Sequence, residues 1–236
     1  MKKILFSLFV LGLLCQCQDT KKDAVKEEKK IQITDSISTK KKIKKQEKQT
    51  IYPVITQKNV TEFLTQYGKD NPETKVRITT KYGKIDLQLF KDTPLHRANF
   101  IYLVKQGYFN NTYFHRVVKG FIIQAGNADD ASVPKKRKKL GNAYRLPYEK
   151  GNGRVHSYGT VSGAKEYRKN PDNMTSPYEF FIFLGKKSQT KHLNGRYTIF
   201  GKVTKGMNVV EKIANLPADE GDWPLYNVYI TVEVIE

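Results

Sequence analysis

Residues 114–126 read Phe-His-Arg-Val-Val-Lys-Gly-Phe-Ile-Ile-Gln-Ala-Gly, and this stretch decides the fold predicted for the chain. β-Branched and aromatic residues dominate on both sides of a Lys-Gly pair, a composition typical of two strands joined by a tight turn. One arginine and one glutamine interrupt the apolar run. The predicted hairpin therefore carries one permanent cation and one amide on an apolar surface. Such a surface suits an extended peptide better than a metal, a nucleotide or a sugar.

Two registers are open to this hairpin. A two-residue turn ending at Gly120 would send Arg116 and Gln124 to opposite faces of the sheet. A three-residue loop that also takes in Phe121 would set Arg116 and Gln124 opposite each other on one face. We favour the three-residue loop because it brings the two polar groups together beside Phe121. The alternative is an ordinary amphipathic hairpin with a solvated arginine.

The same stretch resembles the central signature of the cyclophilins, the peptidyl-prolyl isomerases. The resemblance covers roughly residues 75–236, and further segments occur in the family's order on both sides of the signature. These segments are residues 80–90, Asp92-Thr93-Pro94, Asn99-Phe100, Gly159-Thr160-Val161-Ser162, Glu179-Phe180-Phe181-Ile182, Phe200-Gly201-Lys202-Val203 and Gly206-Met207.

This resemblance implies a mainly β fold, a closed eight-stranded antiparallel barrel with two capping helices. It also implies the family's reaction, the cis/trans rotation of X-Pro peptide bonds, for which no cofactor is needed. Ahead of the matching region, the residues themselves predict an extra N-terminal helix. Asn59 stands at its cap, Gly68 at its end, and apolar residues between them fall on one helical face.

The family's functional residues can be placed on this sequence through the same resemblance. Arg116 matches the catalytic arginine, and Gln124 matches the glutamine that orients the arginine and contacts the substrate backbone. His115 matches the histidine beside the arginine, although a strand residue facing away from the site is an equally good interpretation. The apolar wall that receives the proline ring is matched by Phe121, Ile122, Phe181 and Leu193.

Some predicted substrate-binding positions depart from the family's pattern. Ala164 and Lys165 begin a stretch that is alanine-asparagine-alanine in relatives and whose backbone pairs with the substrate. Glu179 replaces a glutamine, and its negative charge either steadies the Arg116 guanidinium or competes for it. Tyr197 replaces a frequent histidine and can still line a proline pocket. These changes bear on turnover and sequence preference more than on the fold.

The N-terminal residues 1–17 are predicted to be an export signal. Lys2 and Lys3 precede an apolar run that is too short to span a bilayer. Cys17, three residues after Leu14, resembles the lipidated cysteine of a bacterial lipoprotein signal. A plain secretory signal with incidental cysteines is the alternative. We therefore expect a lipid-anchored protein of the bacterial cell envelope that faces the periplasm.

Residues 18–56 are interpreted as a lysine-rich flexible tether between this anchor and a domain over residues 57–236. Residues 18–50 contain 11 Lys against 6 Asp or Glu and no aromatic residue. Such a composition buries too little apolar surface to offset the entropy of ordering. A flexible coil of this length would span about 30–35 Å, enough to hold a domain off a membrane surface.

The net charge of +19 is most concentrated at residues 135–139, Lys-Lys-Arg-Lys-Lys. We interpret this run as a solvated loop between strands. The alternative is weak attraction to anionic lipid heads or acidic polymers. Nucleic-acid binding is not expected, because the basic residues do not alternate with stacking aromatics in a recognisable module.

Taken together, these features predict an envelope-anchored peptidyl-prolyl isomerase that assists the folding of exported proteins. Its expected partners are unfolded or flexible proteins with X-Pro bonds and the membrane that holds the anchor, and the chain is expected to be a monomer. The alternatives are a proline-peptide-binding module or holdase with little turnover, and a charged surface adaptor. The predicted catalytic group is a guanidinium, so neither a metal nor another cofactor is expected.

Overall fold

The structure is a computed structural model and describes residues 52–235. The predicted signal, Cys17 and nearly all of the predicted tether lie outside these described residues. The last part of that tether falls inside them, and there Ile55 is buried and donates its backbone N–H to the Leu140 carbonyl at 2.9 Å. The packed domain therefore starts before residue 57.

Eight antiparallel strands close into a barrel in the order β1-β2-β7-β5-β6-β4-β3-β8. This confirms the fold predicted from the resemblance. The strands are β1 Lys75–Thr80, β2 Gly83–Leu89, β3 Thr112–Val118, β4 Ile122–Asn127, β5 Thr160–Gly163, β6 Phe180–Phe183, β7 Ile199–Lys205 and β8 Val228–Val234.

Strand burial shows how the barrel separates its core from its surface. In β8, Val228, Ile230 and Val232 are buried and alternate with exposed residues, as expected for a strand with one wet face. Strand β6 differs, because all four of its side chains are buried. Phe180 and Ile182 belong to the main core, whereas Phe181 and Phe183 belong to a second cluster. That second cluster gives the barrel an apolar patch outside its core.

Four α-helices accompany the barrel: α1 Val60–Asp70, α2 Pro94–Lys105, α3 Ser132–Leu140 and α4 Met207–Ala214. Helices α2 and α4 both contribute residues to the main core and are the two predicted capping helices. The first backbone N–H groups of α2, from Leu95 and His96, donate to the Glu149 carboxylate at 3.0 and 2.9 Å. A distant carboxylate thus caps the positive end of this helix. Every helix within residues 52–235 is too short or too polar to cross a bilayer.

The extra N-terminal helix is present as α1, but the prediction that Gly68 ends it was wrong. The helix continues to Asp70, and Gly68 is a point of close approach to α2. A Cβ at this position would lie 3.0 Å from the Ala98 Cβ. The Gly68 carbonyl also accepts a 2.7 Å hydrogen bond from Arg97 Nη2. Glycine is therefore present because it lets the two helices touch.

The basic run 135–139 is also not the predicted solvated loop, because it lies in α3. Val133 and Leu140 are buried and anchor the helix, and the helical period turns two of the cations toward the same side. Lys136 Nζ donates to the Asn110 carbonyl at 2.7 Å, and Arg137 Nε donates to the Tyr108 hydroxyl at 2.9 Å. Only the other three basic residues of the run are exposed.

Candidate functional site

The hairpin formed by β3 and β4 has the predicted three-residue loop. Val118 pairs with Ile122, and Arg116 pairs with Gln124 across the two strands. The Phe121 N–H donates to the Val118 carbonyl at 2.9 Å, and Gly120 takes φ +66° within the loop. Glycine adopts this conformation at little cost. The loop length therefore sets the arginine and the glutamine side by side, as expected.

A cavity of about 340 Å³ opens beside this hairpin. Nine of the eleven predicted catalytic and substrate-binding residues line it, although they come from widely separated parts of the chain. His192 and Tyr167 also line it. The predicted residues in the lining are Arg116, Phe121, Ile122, Gln124, Ala164, Lys165, Phe181, Leu193 and Tyr197.

The wall of the cavity is apolar and firmly packed. Ile122, Phe181 and Leu193 are buried in the second cluster, where they pack together. The Phe181 and Tyr197 rings meet edge to face with centroids 5.6 Å apart, and Phe121 contacts Phe183 in the same way at 5.7 Å. Such a wall suits a compact aliphatic ring that has no N–H to satisfy.

Two cations and an amide line the cavity, together with the His192 ring and two tyrosine hydroxyls. Arg116 is half-buried, with 42% of its side chain exposed, and forms an ion pair with Asp222 in which Nη2 and Oδ2 are 3.0 Å apart. Lys165 Nζ donates to Asn173 Oδ1 at 2.8 Å and lies 4.8 Å from the centre of the Tyr197 ring. Burial lowers the pKa of the Lys165 ammonium, and the nearby Arg196 charge lowers it further.

The Gln124 side chain forms its hydrogen bond with Glu179 and not with Arg116. Its Nε2 donates to Glu179 Oε2 at 3.0 Å, and no hydrogen bond joins Gln124 to Arg116 within residues 52–235. The other Glu179 oxygen, Oε1, accepts a hydrogen bond from Arg137 Nη2 at 3.4 Å. Glu179 therefore neither steadies the Arg116 guanidinium nor competes for it. Its partner is a cation from the helix α3.

His115 and Glu179 are the two predicted residues that do not line the cavity. Glu179 lines the second, adjoining cavity described below, and its Oε2 is 3.5 Å from His115 Nε2. The His115 ring is buried against Trp223, with ring centroids 5.9 Å apart. Burial alone raises the pKa of the Glu179 carboxyl, but His115, Arg137 and Gln124 more than offset this, so its pKa lies below the ordinary value. Glu179 is therefore a charged support for the site.

A second cavity of about 310 Å³ adjoins the first, and both include Gln124, Ala164 and Lys165 in their linings. The Ala164 backbone is fully used within the protein, because its N–H donates to the Glu179 carbonyl at 3.1 Å and its C=O accepts from the Ser176 N–H at 2.8 Å. The neighbouring Lys165 backbone forms no hydrogen bond with any residue in the described range 52–235. It is the more accessible place for an extended chain to pair.

Histidine and carboxylate side chains of the described residues do not form a metal site. Within residues 52–235, no three His, Cys, Asp or Glu side chains lie close enough together to hold a metal ion.

Three residues of the site's surroundings were not anticipated from the sequence. Asp222 contacts Arg116 from 106 residues further along the chain, Arg137 contacts Glu179 from the basic run, and Trp223 covers His115. None of them stands in a motif whose spacing signals a role. The signal that was available for Arg137 is the helical spacing between Val133 and Leu140, which places Arg137 on the buried side of α3.

Comparison with known proteins agrees with this geometry. The family described as cyclophilin type peptidyl-prolyl cis-trans isomerase/CLD matches residues 75–234. A peptidyl-prolyl cis-trans isomerase of Acinetobacter baylyi is 35% identical over 147 residues, which cover 61% of this chain and 73% of the relative. Peptidyl-prolyl cis-trans isomerase A of Dickeya dadantii is 33% identical over 184 residues, or 77% of this chain and 91% of the relative.

A solved structure is also similar. The cyclophilin type isomerase of Cryptosporidium parvum, crystallised in the presence of the dipeptide Ala-Pro, has a TM-score of 0.56 and 31% sequence identity. The similarity covers 69% of this chain and 99% of that one. Fold, site and relatives agree, and the chain belongs to the cyclophilin-type peptidyl-prolyl cis-trans isomerases.

Proposed function

We propose that this isomerase acts on X-Pro bonds of exported proteins at the cell envelope, as a monomer, with Arg116 as its catalytic residue. The observation that carries the proposal is the apolar cavity with a single half-buried guanidinium at its edge. Unfolded and flexible chains are the proposed substrates, because an X-Pro bond must be exposed to enter the cavity.

To catalyse this reaction, the protein must stabilise the twisted peptide bond of the transition state. Amide resonance gives a barrier of about 18–20 kcal/mol to rotation of the peptide bond, and uncatalysed X-Pro isomerisation takes tens to hundreds of seconds. Twisting the bond breaks the conjugation and leaves a lone pair on the prolyl nitrogen. A donor aimed at that nitrogen stabilises the twisted state more than either planar state, and this difference lowers the barrier.

The side chains of the cavity fit this task. Phe121, Ile122, Phe181 and Leu193 would hold the proline ring, and Arg116 would donate to its nitrogen from the cavity edge. Arginine keeps its charge at every physiological pH and holds its donors in a rigid plane. The Ala-Pro dipeptide used with the Cryptosporidium parvum relative supports a proline-bearing ligand for this cavity as well.

The peptide bonds next to the proline would lie toward the second cavity. We propose that Gln124 and the Lys165 backbone contact them, since both stand where the two cavities meet. Ala164 would shape this passage without pairing, because its own backbone groups are already bonded. Tyr197 would close the far side of the proline pocket against Phe181.

Catalysis is tested by following the cis-to-trans conversion of a short X-Pro peptide with and without the full chain. We expect the relaxation rate to rise in proportion to protein concentration. Peptide binding without any increase in rate would contradict the enzyme and favour the holdase alternative. Absence of both binding and rate enhancement would favour the charged adaptor.

Attachment to the envelope is a separate prediction and depends on Cys17. We expect wild-type protein made in a bacterium with a lipoprotein pathway to incorporate radiolabelled palmitate and to sediment with membranes. Cys17→Ala should lose both properties, since the thiol is the site that would be acylated. Cys15→Ala is the matched control and should keep the label. An unlabelled wild-type protein, or a label that follows Cys15, would contradict this anchor.

A further inference from the structure

Arg116 is held by a carboxylate from a distant loop. Asp222 Oδ2 accepts hydrogen bonds from both Nε and Nη2 of Arg116, at 3.2 and 3.0 Å. A guanidinium carries more N–H donors than these two. One edge of the arginine is thus fixed by Asp222, while its remaining donors stay available to a ligand in the cavity that Arg116 lines.

The loop that carries Asp222 is built to keep it in place. The Asp222 carbonyl accepts a 2.8 Å hydrogen bond from the Val117 N–H, which fastens the loop to the strand beside Arg116. Asp219 Oδ1 accepts from the N–H groups of Gly221 and Trp223 at 2.8 and 2.9 Å. These bonds tie the residues on either side of Asp222 to one carboxylate. The loop therefore presents Asp222 at a defined position.

The backbone of Asp222 adds a second indication. Its φ is +65°, in the left-handed region that most residues avoid. Non-glycine residues persist in this region when surrounding contacts hold them there, and such residues gather at functional sites. Trp223, the next residue, packs against Tyr113 and His115 with ring centroids 5.9 Å apart in each case. Two residues of β3, the strand that carries Arg116, thus support the unusual turn.

We propose that Asp222 is a positioning residue, which orients the Arg116 guanidinium for its contact with the prolyl nitrogen. The inference rests on the proposed catalytic role of Arg116 and refines it. Gln124, the residue expected to orient the arginine, instead donates to Glu179. Asp222 occupies the orienting position that Gln124 leaves empty, and it does so with a charge-assisted pair.

Asp222→Asn tests the proposal with little disturbance of the backbone, because asparagine tolerates the left-handed region well. Glu220→Gln is the matched control, since it removes the same charge from an exposed residue of the same loop. We expect Asp222→Asn to lower kcat/KM about five- to tenfold, mostly through kcat, because the pair is half-exposed and acts on a transition-state contact. Glu220→Gln should change kcat/KM less than about twofold.

Asp222→Glu adds a rescue test, because it restores the charge on a longer arm and should recover part of the loss. A nuclear magnetic resonance measurement reports the contact itself. The Arg116 Nε–H signal, assigned by its disappearance in Arg116→Lys, should exchange slowly with water in the wild type and rapidly in Asp222→Ala. Rapid exchange in the wild type would overturn the proposed pairing without reference to any variant.

Kinetic outcomes separate this proposal from the function on which it rests. If the wild type is active and Asp222→Asn has the same kcat/KM, the positioning role is overturned while the isomerase activity is supported. Faster turnover in Asp222→Asn also overturns it, since the carboxylate would then compete with the substrate for the guanidinium. An inactive wild type removes both proposals together. Equal losses in Asp222→Asn and Glu220→Gln would identify a general charge effect and overturn the specific contact.

Discussion

Replacement of Arg116 by alanine is expected to lower kcat/KM by about 10²–10³-fold, the usual effect of removing a donor that acts at the transition state. The loss should fall on kcat, while the affinity for a proline peptide should change little, because the apolar wall is untouched. Progress curves on an X-Pro peptide, together with a binding titration, measure both quantities.

Two further variants sharpen this experiment. Arg116→Lys keeps the charge but loses the planar fork, so an intermediate loss is expected. Lys119→Ala removes an exposed cation from the loop of the same hairpin and should leave activity within about twofold. If Arg116→Ala kept about half of the wild-type rate, the catalytic assignment would be wrong even though the fold and the cavity remained.

Replacement of Glu179 by alanine is expected to lower the free energy of unfolding by about 3 kcal/mol at neutral pH. The reason is that Arg137 and His115 would lose the carboxylate that both of them face. Urea denaturation followed by circular dichroism measures the change. A loss below about 0.5 kcal/mol would mean that the carboxylate contributes no more than an exposed surface residue.

Glu179→Gln separates charge from shape in this network, because the amide keeps the volume of the carboxylate. The pKa of Glu179 is lowered in the folded protein, so its charge stabilises the fold above the unfolded-state value of about 4.3. That contribution is lost as pH falls from there through the lowered folded-state pKa. We expect wild type to exceed Glu179→Gln in stability at pH 7 and the difference to shrink in this acidic window. A difference that stays constant there would contradict the assignment.

The parts of the site that follow from local patterns were predictable from the sequence. Arg116 and Gln124 pair because the hairpin turns at Gly120 through a three-residue loop. This loop length was preferred because it places the two polar residues opposite each other. The cavity wall depends on motifs that keep their order along the chain, such as Phe121 and Ile122 in the hairpin and Phe181 in its own strand. For these residues, local composition and the family resemblance agreed.

Contacts between distant segments were not predictable. Arg116 meets Asp222 because the loop before β8 lies against β3, and no periodicity connects the two residues. Glu179 was expected near Arg116, yet it pairs with Arg137, because the run 135–139 is a helix anchored by Val133. The run was interpreted as a loop because all of its residues are charged, and the helical spacing of Val133 and Leu140 on either side of it was overlooked. Gly68 was misinterpreted for a similar reason, since its function depends on a neighbouring helix.

Both faces of β6 are buried, and this couples the substrate specificity of the enzyme to its thermal stability. This strand forms part of the partition between the barrel interior, where Phe180 and Ile182 pack, and the ligand side, where Phe181 and Phe183 pack. A pocket enlarged to accept bulkier ligands would require β6 to shift against main-core residues that are already closely packed. Variants selected for broader specificity should therefore melt at lower temperatures, and compensating substitutions would be expected on the opposite face of that partition.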